Sequence, residues 1–416
     1  MTETVRTYLN PAHFFMLLRA HGTSFFAGVP DSLLKDVCAY ITDNVPGSQH
    51  VIAANEGTAL AMAAGHYLAT GSVACVYLQN SGLGNTINPL LSLCSKKVYA
   101  IPALLLIGWR GEPGKKDEPQ HLLQGALTPT MLENMGVPYE ILPDYAEGAF
   151  EVITKAYAPV LSTCTLNRRV CVHECLRKGK EPFALLVKKE TFEKYRLAAD
   201  SSVFSGDDML HREEILEEII QIFPSSPLVT TTGFTSREMF ELRVQKGQSH
   251  GHDFLTAGGS GLACVRDRVG SMGHCSSIAL GVALAQPQQE VLCIDGDGAA
   301  LMHMGCFATI GRCSLSNFKH VLINNAVHDS VGGQPTGSVS IDFPAIAKAC
   351  GYKEVLRARS TGEVREALAT LKASSGPSFL EIQALPGARA DLGRPTTSTH
   401  QNKEAFMKQL RGKLND

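Results

Sequence analysis

The sequence predicts an α/β protein of two doubly wound parallel-sheet domains of similar topology, on three observations. Short apolar runs bounded by glycine alternate with helical stretches along most of the chain, the pattern of parallel strands joined by crossover helices. The halves repeat that pattern: "EGTALAMAAGHYLATGSVACVYLQNSGLGN" and "GHCSSIALGVALAQPQQEVLCIDGDGAALM" each run helix, turn, strand and Gly-rich turn. The chain has 416 residues, 44% of them hydrophobic, which is enough material for two cores. We therefore expect one domain over 1–195 and a second over 205–416, joined by the polar segment near Glu190–Arg212.

In chain order, the first half offers the strands "SFFAGV", "HVIAA", "VACVYL", "AIPALLLIG" and "FALLV". The second offers "SPLVTT", "VLCID", "HVLIN" and "SFLEI", and helices are expected over Gly57–Ala69 and Ser276–Ala285. The charged stretch Leu161–Lys180 reads as a peripheral excursion. Within it Cys164, Cys171, His173 and Cys175 lie close together but without a C-x-x-C pair, which favours inert thiols over a metal site. Most other cysteines sit singly in apolar runs, as small buried hydrophobes do.

A formal net charge of −2, with no long basic run, argues against nucleic-acid binding. The longest apolar stretch, Ile101–Gly108, is too short to cross a bilayer. The N-terminus lacks the apolar core and cleavage site of a secretory signal. We expect a soluble, cytoplasmic protein without nucleic-acid or membrane partners.

The strand "VLCID" ends in Asp295-Gly296-Asp297-Gly298, where doubly wound sheets bind ligands. The glycines and acids could simply make a turn and cap a helix. They could also be the Asp-x-Asp loop of a metal phosphohydrolase, although such loops usually open a chain. A third reading uses Asn324-Asn325, which follow Gly298 after 25 residues, room for one helix, one loop and one strand. A carboxylate, an amide oxygen and a backbone carbonyl then make a hard-oxygen set for Mg²⁺, and the glycines let backbone N–H groups approach phosphates. Only this reading accounts for the acid, the glycines and the asparagines together.

GDG-x25-NN resembles the diphosphate-binding motif of thiamine diphosphate enzymes. Two domains without a middle one match that family's shorter members, with 1–195 binding the pyrimidine and 205–416 the diphosphate and metal. The resemblance implies that Asp297, Asn325 and the Val327 carbonyl bind Mg²⁺. It implies that Gly296, Gly298 and Ala299, with Thr231, Thr232 and Gly233 of "TTGFTSRE", bind the diphosphate. "GSMGH" matches the segment that bends the cofactor, with Met272 as its prop and Gly270 and Ser271 beside it. Glu56 of "AANEGTALAMAAG" matches the glutamate that touches the aminopyrimidine and, when protonated, promotes its imino tautomer. In that family the site is shared between subunits of a homo-oligomer.

The blocks "GVPDSLLK", "QNSGLGN", "RGEPGKKDEPQH", "DGDGAALMHMG", "HDSVGGQPT" and "DLGRPTT" resemble phosphonopyruvate decarboxylases, and less closely sulfopyruvate decarboxylases. This implies non-oxidative decarboxylation of 3-phosphonopyruvate, a 2-oxo acid, to phosphonoacetaldehyde and CO₂ in phosphonate biosynthesis. Arg110, Lys115 and Lys116 are the candidate phosphonate donors, since Arg in particular suits a bidentate anion. Asp31, Asn80, His121, His328, Asp329 and Ser330 are candidate substrate-facing groups, and a histidine placed like His328 could relay a proton. A surface-loop or capping role remains open for each. Ala326-Val327 depart from the family's preference for smaller residues, glycine included.

Overall fold

The computed structural model of the chain describes residues 8–117, 119–157, 176, 180–198, 204–256 and 271–412. Gly270 and the Cys-rich cluster at Cys164, Cys171, His173 and Cys175 lie outside the described residues. Contacts divide the chain into one compact unit of Met1–Asp117, His121–Asp200 and Val331–Gln334, and a second of Glu118–Gln120, Ser201–Ser330 and Pro335–Asp416.

The first unit contains β1 (Phe26–Gly28), β2 (His50–Ile52), β3 (Ala74–Gln79), β4 (Ala103–Gly108), β5 (Tyr139–Ile141) and β6 (Phe183–Val187), ordered β2-β1-β3-β4-β6-β5. The second contains β7 (Leu228–Thr230), β8 (Asp253–Leu255), β9 (Val291–Gly296), β10 (Phe318–Asn324), β11 (Glu354–Ala358) and β12 (Ser378–Gln383), ordered β11-β12-β10-β9-β7-β8. Read from its other edge and renumbered from one, the second sheet has the order of the first, and every pairing in both is parallel. The internal similarity of the sequence is thus a similarity of topology.

Helices on both faces explain why the central strands read as continuous apolar runs. In the first unit Cys75, Tyr77, Leu104 and Leu106 enter one buried cluster, while Val76, Leu78, Leu105 and Ile107 enter the cluster on the opposite face. The second unit alternates likewise, with Leu292, Ile294, Val321 and Ile323 on one face and Val291, Cys293 and Leu322 on the other. Each such large side chain contributes about 1.5–3 kcal/mol by leaving water. Helices form at Glu56–Thr70 and Cys275–Ala285, as expected. Among the described residues no helix is long and apolar enough to cross a membrane.

In each sheet the chain leaves neighbouring central strands in opposite directions, between β1 and β3 and between β7 and β9. The crevice beyond such strand ends is where this architecture receives ligands.

Candidate active site

The second unit assembles its site from three strand ends. Gly296 pairs with Ile323, so the chain leaves β9 at Asp297 beside the place where it leaves β10 at Asn324-Asn325. Thr231, at the end of β7, donates its N–H to Ile294 O at 2.8 Å. Thr232 and Gly233 follow it, and Gly233 has φ +85°, a conformation that suits glycine. A Cβ on Gly233 would lie 3.5 Å from Ser330 Oγ, which places Ser330 at the same end of the sheet.

Asp297 begins the short helix Asp297–Met302 and is 3% exposed. Burial pushes its carboxyl up to about 6, against hydrogen bonds from Thr336, Ser338 and backbone N–H groups that pull it down. Thr336 Oγ1 donates to Asp297 Oδ2, and Ser338 N–H donates to Thr336 Oγ1 at 3.3 Å. Ser338 Oγ donates to Asn324 Oδ1 at 2.8 Å, and Asn324 Nδ2 donates to Glu381 Oε1 at 2.8 Å. Arg357 closes the chain of bonds on Glu381 Oε2 at 2.7 Å. The acid is therefore held in one orientation by a buried polar row that ends at the surface on Arg357.

Asn325 is held from the other side. Its Nδ2 donates to Asp329 Oδ2 at 2.7 Å, and its Oδ1 accepts the Val327 N–H at 3.3 Å. Asp329 also accepts from Arg212 Nη1 at 3.0 Å and from the Gly387 N–H, and Arg212 is itself paired with buried Glu238 at 2.7 Å. Between Asn325 and Val327, Ala326 is fully buried with φ +64°. This left-handed turn suits glycine, and alanine adopts it at a cost of about 1 kcal/mol.

Close packing leaves little room for a larger residue at Gly298, whereas Gly296 has ordinary space around it. A Cβ on Gly298 would lie 2.9 Å from the His328 ring. Burial pushes the His328 imidazole down to about 4, so it is neutral at pH 7. On the other side of the Asp297–Met302 helix, Gly273 (φ +83°) packs so tightly that a Cβ would meet His303 at 2.5 Å and Ala299 O at 2.9 Å. That contact sets half-buried Met272 and exposed Ser271 beside buried Ala299. Asp295 does not share the crevice with Asp297. It lies within β9, 0% exposed, on the sheet face that carries Cys293.

In the first unit, Asn55 caps the helix Glu56–Thr70 by accepting the Gly57 N–H at 2.8 Å, and so makes Glu56 its first residue. Glu56 is 5% exposed, and burial raises its carboxyl above the ordinary glutamate range, opposed by the hydrogen bond from Asn85. Asn85 Nδ2 donates to Oε2 at 2.7 Å. The other oxygen lies over Gly82, where a Cβ would come within 2.1 Å of Oε1.

Asp31 follows β1 and is fully buried, bonded by Gln79 Nε2 at 2.5 Å and by the Leu33 N–H at 2.8 Å; burial raises its carboxyl. Asn80, after β3, uses its amide to grip the Arg110 backbone, at 2.8 Å to the carbonyl and 3.2 Å to the N–H. Arg110 follows β4 and forms a bidentate pair with Asp117, at 2.9 and 2.5 Å, and a 3.0 Å bond to Ser32. Lys115 and Lys116 are exposed in the same loop. Buried His121 lies on the helix Pro119–Asn134, whose backbone meets Gly111 so closely that a Cβ there would be 1.8 Å from His121 O.

These placements bring Asp297, Asn325, Val327, Gly298, His328, Thr231, Gly233 and Ser330 to one end of the second sheet. Asp31, Asn80 and Arg110 gather at strand ends of the first. Sequence reasoning missed Thr336, Ser338, Asn85, Gly82 and the Arg212–Glu238 pair that braces Asp329. Asn85 and Gly82 were inside the quoted block "QNSGLGN", but nothing local marked them as partners of Glu56.

Residues 12–132 match the family description "Thiamine pyrophosphate enzyme, N-terminal TPP binding domain", and residues 254–382 match "Thiamine pyrophosphate enzyme, C-terminal TPP binding domain". A phosphonopyruvate decarboxylase of Streptomyces hygroscopicus is 34% identical over 92% of this chain and 90% of its own length. One from Streptomyces viridochromogenes is 34% identical over 92% of this chain and 91% of its own. A sulfopyruvate decarboxylase of Methanosarcina acetivorans is 27% identical over 89% of this chain and 90% of its own. With both cofactor-binding domains present and near-complete coverage at this identity, the chain belongs to the phosphonopyruvate decarboxylase family of thiamine pyrophosphate enzymes.

Proposed function

We propose that this chain decarboxylates 3-phosphonopyruvate to phosphonoacetaldehyde and CO₂, using thiamine diphosphate and Mg²⁺. The observation that carries the substrate assignment is the pair of phosphonopyruvate decarboxylases at 34% identity, against 27% for the sulfopyruvate enzyme. The residues present fit the cofactor. Asp297 is a buried acid pushed up to about 6, and among the described residues no cationic side chain pairs with it. With the Asn325 amide and the Val327 carbonyl it offers the hard oxygens that Mg²⁺ takes.

Asp297, Asn325 and Val327 would hold the metal, and Gly296, Gly298, Ala299, Thr231, Thr232 and Gly233 the diphosphate. Gly270, Ser271 and Met272 would hold the pyrimidine side. When bound, thiamine diphosphate supplies the electron sink that accepts the pair released as CO₂ departs. Burial disfavours the charge on Glu56 and raises its carboxyl above the ordinary glutamate range, which favours the protonated form. With Oε2 engaged by Asn85, Oε1 is the oxygen that can present that proton to a ring nitrogen. Neutral His328 can donate one N–H or accept one proton, which suits the protonation that completes the product.

For the substrate, Arg110 is the strongest anion donor of the first unit, although Asp117 and Ser32 already engage it. A phosphonate would therefore share or displace Asp117. Lys115, Lys116, Ser330, Asp31, Asn80 and His121 remain candidate contacts. We take 1–195 and 205–416 as the two cofactor-binding domains, and the enzyme as a cytoplasmic homo-oligomer with sites shared between subunits.

The test is CO₂ release from phosphonopyruvate and sulfopyruvate in parallel, with and without thiamine diphosphate and Mg²⁺. Cofactor-dependent release favouring phosphonopyruvate is expected. Release favouring sulfopyruvate overturns the substrate assignment, and release without the cofactor overturns the chemistry.

A further inference from the structure

In the core of the second unit three side chains with metal-binding atoms converge, Cys275, Cys293 and Asp295, and His320 stands beside them against Asp295. Cys293 and Asp295 are two apart on β9 and so point to the same face. His320 on β10 lies directly opposite Cys293 in register. Cys275, the first residue of the helix Cys275–Ala285, reaches the same spot from above. All four are at most 1% exposed.

Ligand atoms of Cys275, Cys293 and Asp295 lie within 4.8 Å of one another. The two sulfurs are 3.9 Å apart. A disulfide would need them about 2 Å apart, whereas two thiolates on one tetrahedral Zn²⁺, with Zn–S near 2.3 Å, sit about 3.8 Å apart. His320 Nε2 lies 3.6 Å from Asp295 Oδ2, an ion-pair distance when the ring is protonated, and beyond each other neither atom has a hydrogen-bond partner despite complete burial. The remaining atoms are already oriented. His320 Nδ1 bonds Tyr352 Oη at 3.1 Å, and Asp295 Oδ1 accepts the Gly296 N–H at 2.9 Å. A metal-ligating histidine is set in this way, with one ring nitrogen fixed by an outer partner and the other aimed inward.

We propose that Cys275, Cys293, Asp295 and His320 form a closed structural site for a thiophilic divalent cation, Zn²⁺, separate from the Mg²⁺ site. Two sulfurs and an imidazole select zinc over magnesium, and four protein ligands leave no position for a reacting water. Binding would displace the two thiol protons and occur as the unit folds, since the site has no opening. The ion would tie β9, directly before Asp297, to the helix that follows the Ser271–His274 turn. Positioning the motif is its role, and its occupancy does not depend on the reaction assigned to the enzyme.

The test is metal analysis of the full-length protein made in zinc-replete cells and dialysed against EDTA. Roughly one zinc per chain should remain after Mg²⁺ is gone, and a mercurial that titrates thiols should release it. Cobalt-grown protein should show thiolate-to-cobalt charge transfer and tetrahedral visible bands, a readout that needs no variant. Cys293→Ser and His320→Gln should lose the zinc, while Asp297→Asn should keep it. Wild-type protein with neither zinc nor a cobalt–thiolate band overturns the proposal. So does zinc retained by Cys293→Ser but lost from Cys171→Ser, which would assign the ion to the 164–175 cluster.

Discussion

Thr336→Val isolates the hydroxyl that holds Asp297, with little change of shape. Thr336 is 7% exposed, and its Oγ1 donates to Asp297 Oδ2. Losing one hydrogen bond to a charged group removes about 1.5–3 kcal/mol of support for the ionised form. At about 1.4 kcal/mol per pKa unit, the carboxyl should rise by roughly 1–2 units from its value of about 6. At the proposed Mg²⁺ site the metal would need the carboxylate, so the ionised fraction at pH 7 would set the apparent affinity. That fraction should fall from ~90% to ~10–50%, weakening Mg²⁺-dependent cofactor binding ~2- to 10-fold. At pH 9 both proteins are mostly ionised, and the deficit should nearly vanish. Titrating Mg²⁺ at saturating thiamine diphosphate, followed by protein fluorescence at both pH values, measures this. Thr336→Ser, which keeps a hydroxyl, should bind as wild type. A deficit of equal size at pH 7 and pH 9 would refute the reasoning, because it would show lost shape rather than a displaced proton.

Glu56→Gln should retain cofactor but lose turnover by ~100-fold or more, and an unchanged kcat would remove Glu56 from the mechanism. Gly82→Ala puts a methyl 2.1 Å from Glu56 Oε1, so kcat should fall ~10- to 100-fold with the circular dichroism spectrum intact. In the metal-free protein, Asp297 carries a folded pKa raised from 3.8 to about 6, so between these values the folded state holds a proton that the unfolded state has lost. Its contribution to stability should therefore decline as pH rises through that window, by up to ~3 kcal/mol, read by urea unfolding as wild type minus Asp297→Asn. Arg243 and Asp253 form a fully buried bidentate pair at 3.0 and 2.9 Å. Arg243→Met should destabilise by about 3–5 kcal/mol in urea, and adding Asp253→Leu should recover much of it; no recovery would mean that Arg243 acts through its other bonds.

The sequence by itself determined the nine strands that read as apolar runs and the donor types of the motif. All eight interior strands are among those nine, because helices on both faces demand unbroken apolar sequence there. The three strands it missed, "YEI", "DFL" and "EVLRA", are all sheet edges, where short length and partial exposure leave a mixed pattern. The placement of Asp297 and Asn325 just beyond strand ends was legible because their spacing leaves room for one helix and one strand, and the proposed metal site would take an acid and an amide there. Asp295 could not be separated from Asp297 in this way. Only the folded β9 shows that Asp295 points back into the core while Asp297 lies past the strand end. Tertiary structure alone also decided which groups hold those ligands. Thr336 is 39 residues from Asp297, and Arg212 is 117 from Asp329. No local pattern links such residues. Burial of the acid and the amide creates the need for partners, and the fold selects whichever donors lie within reach.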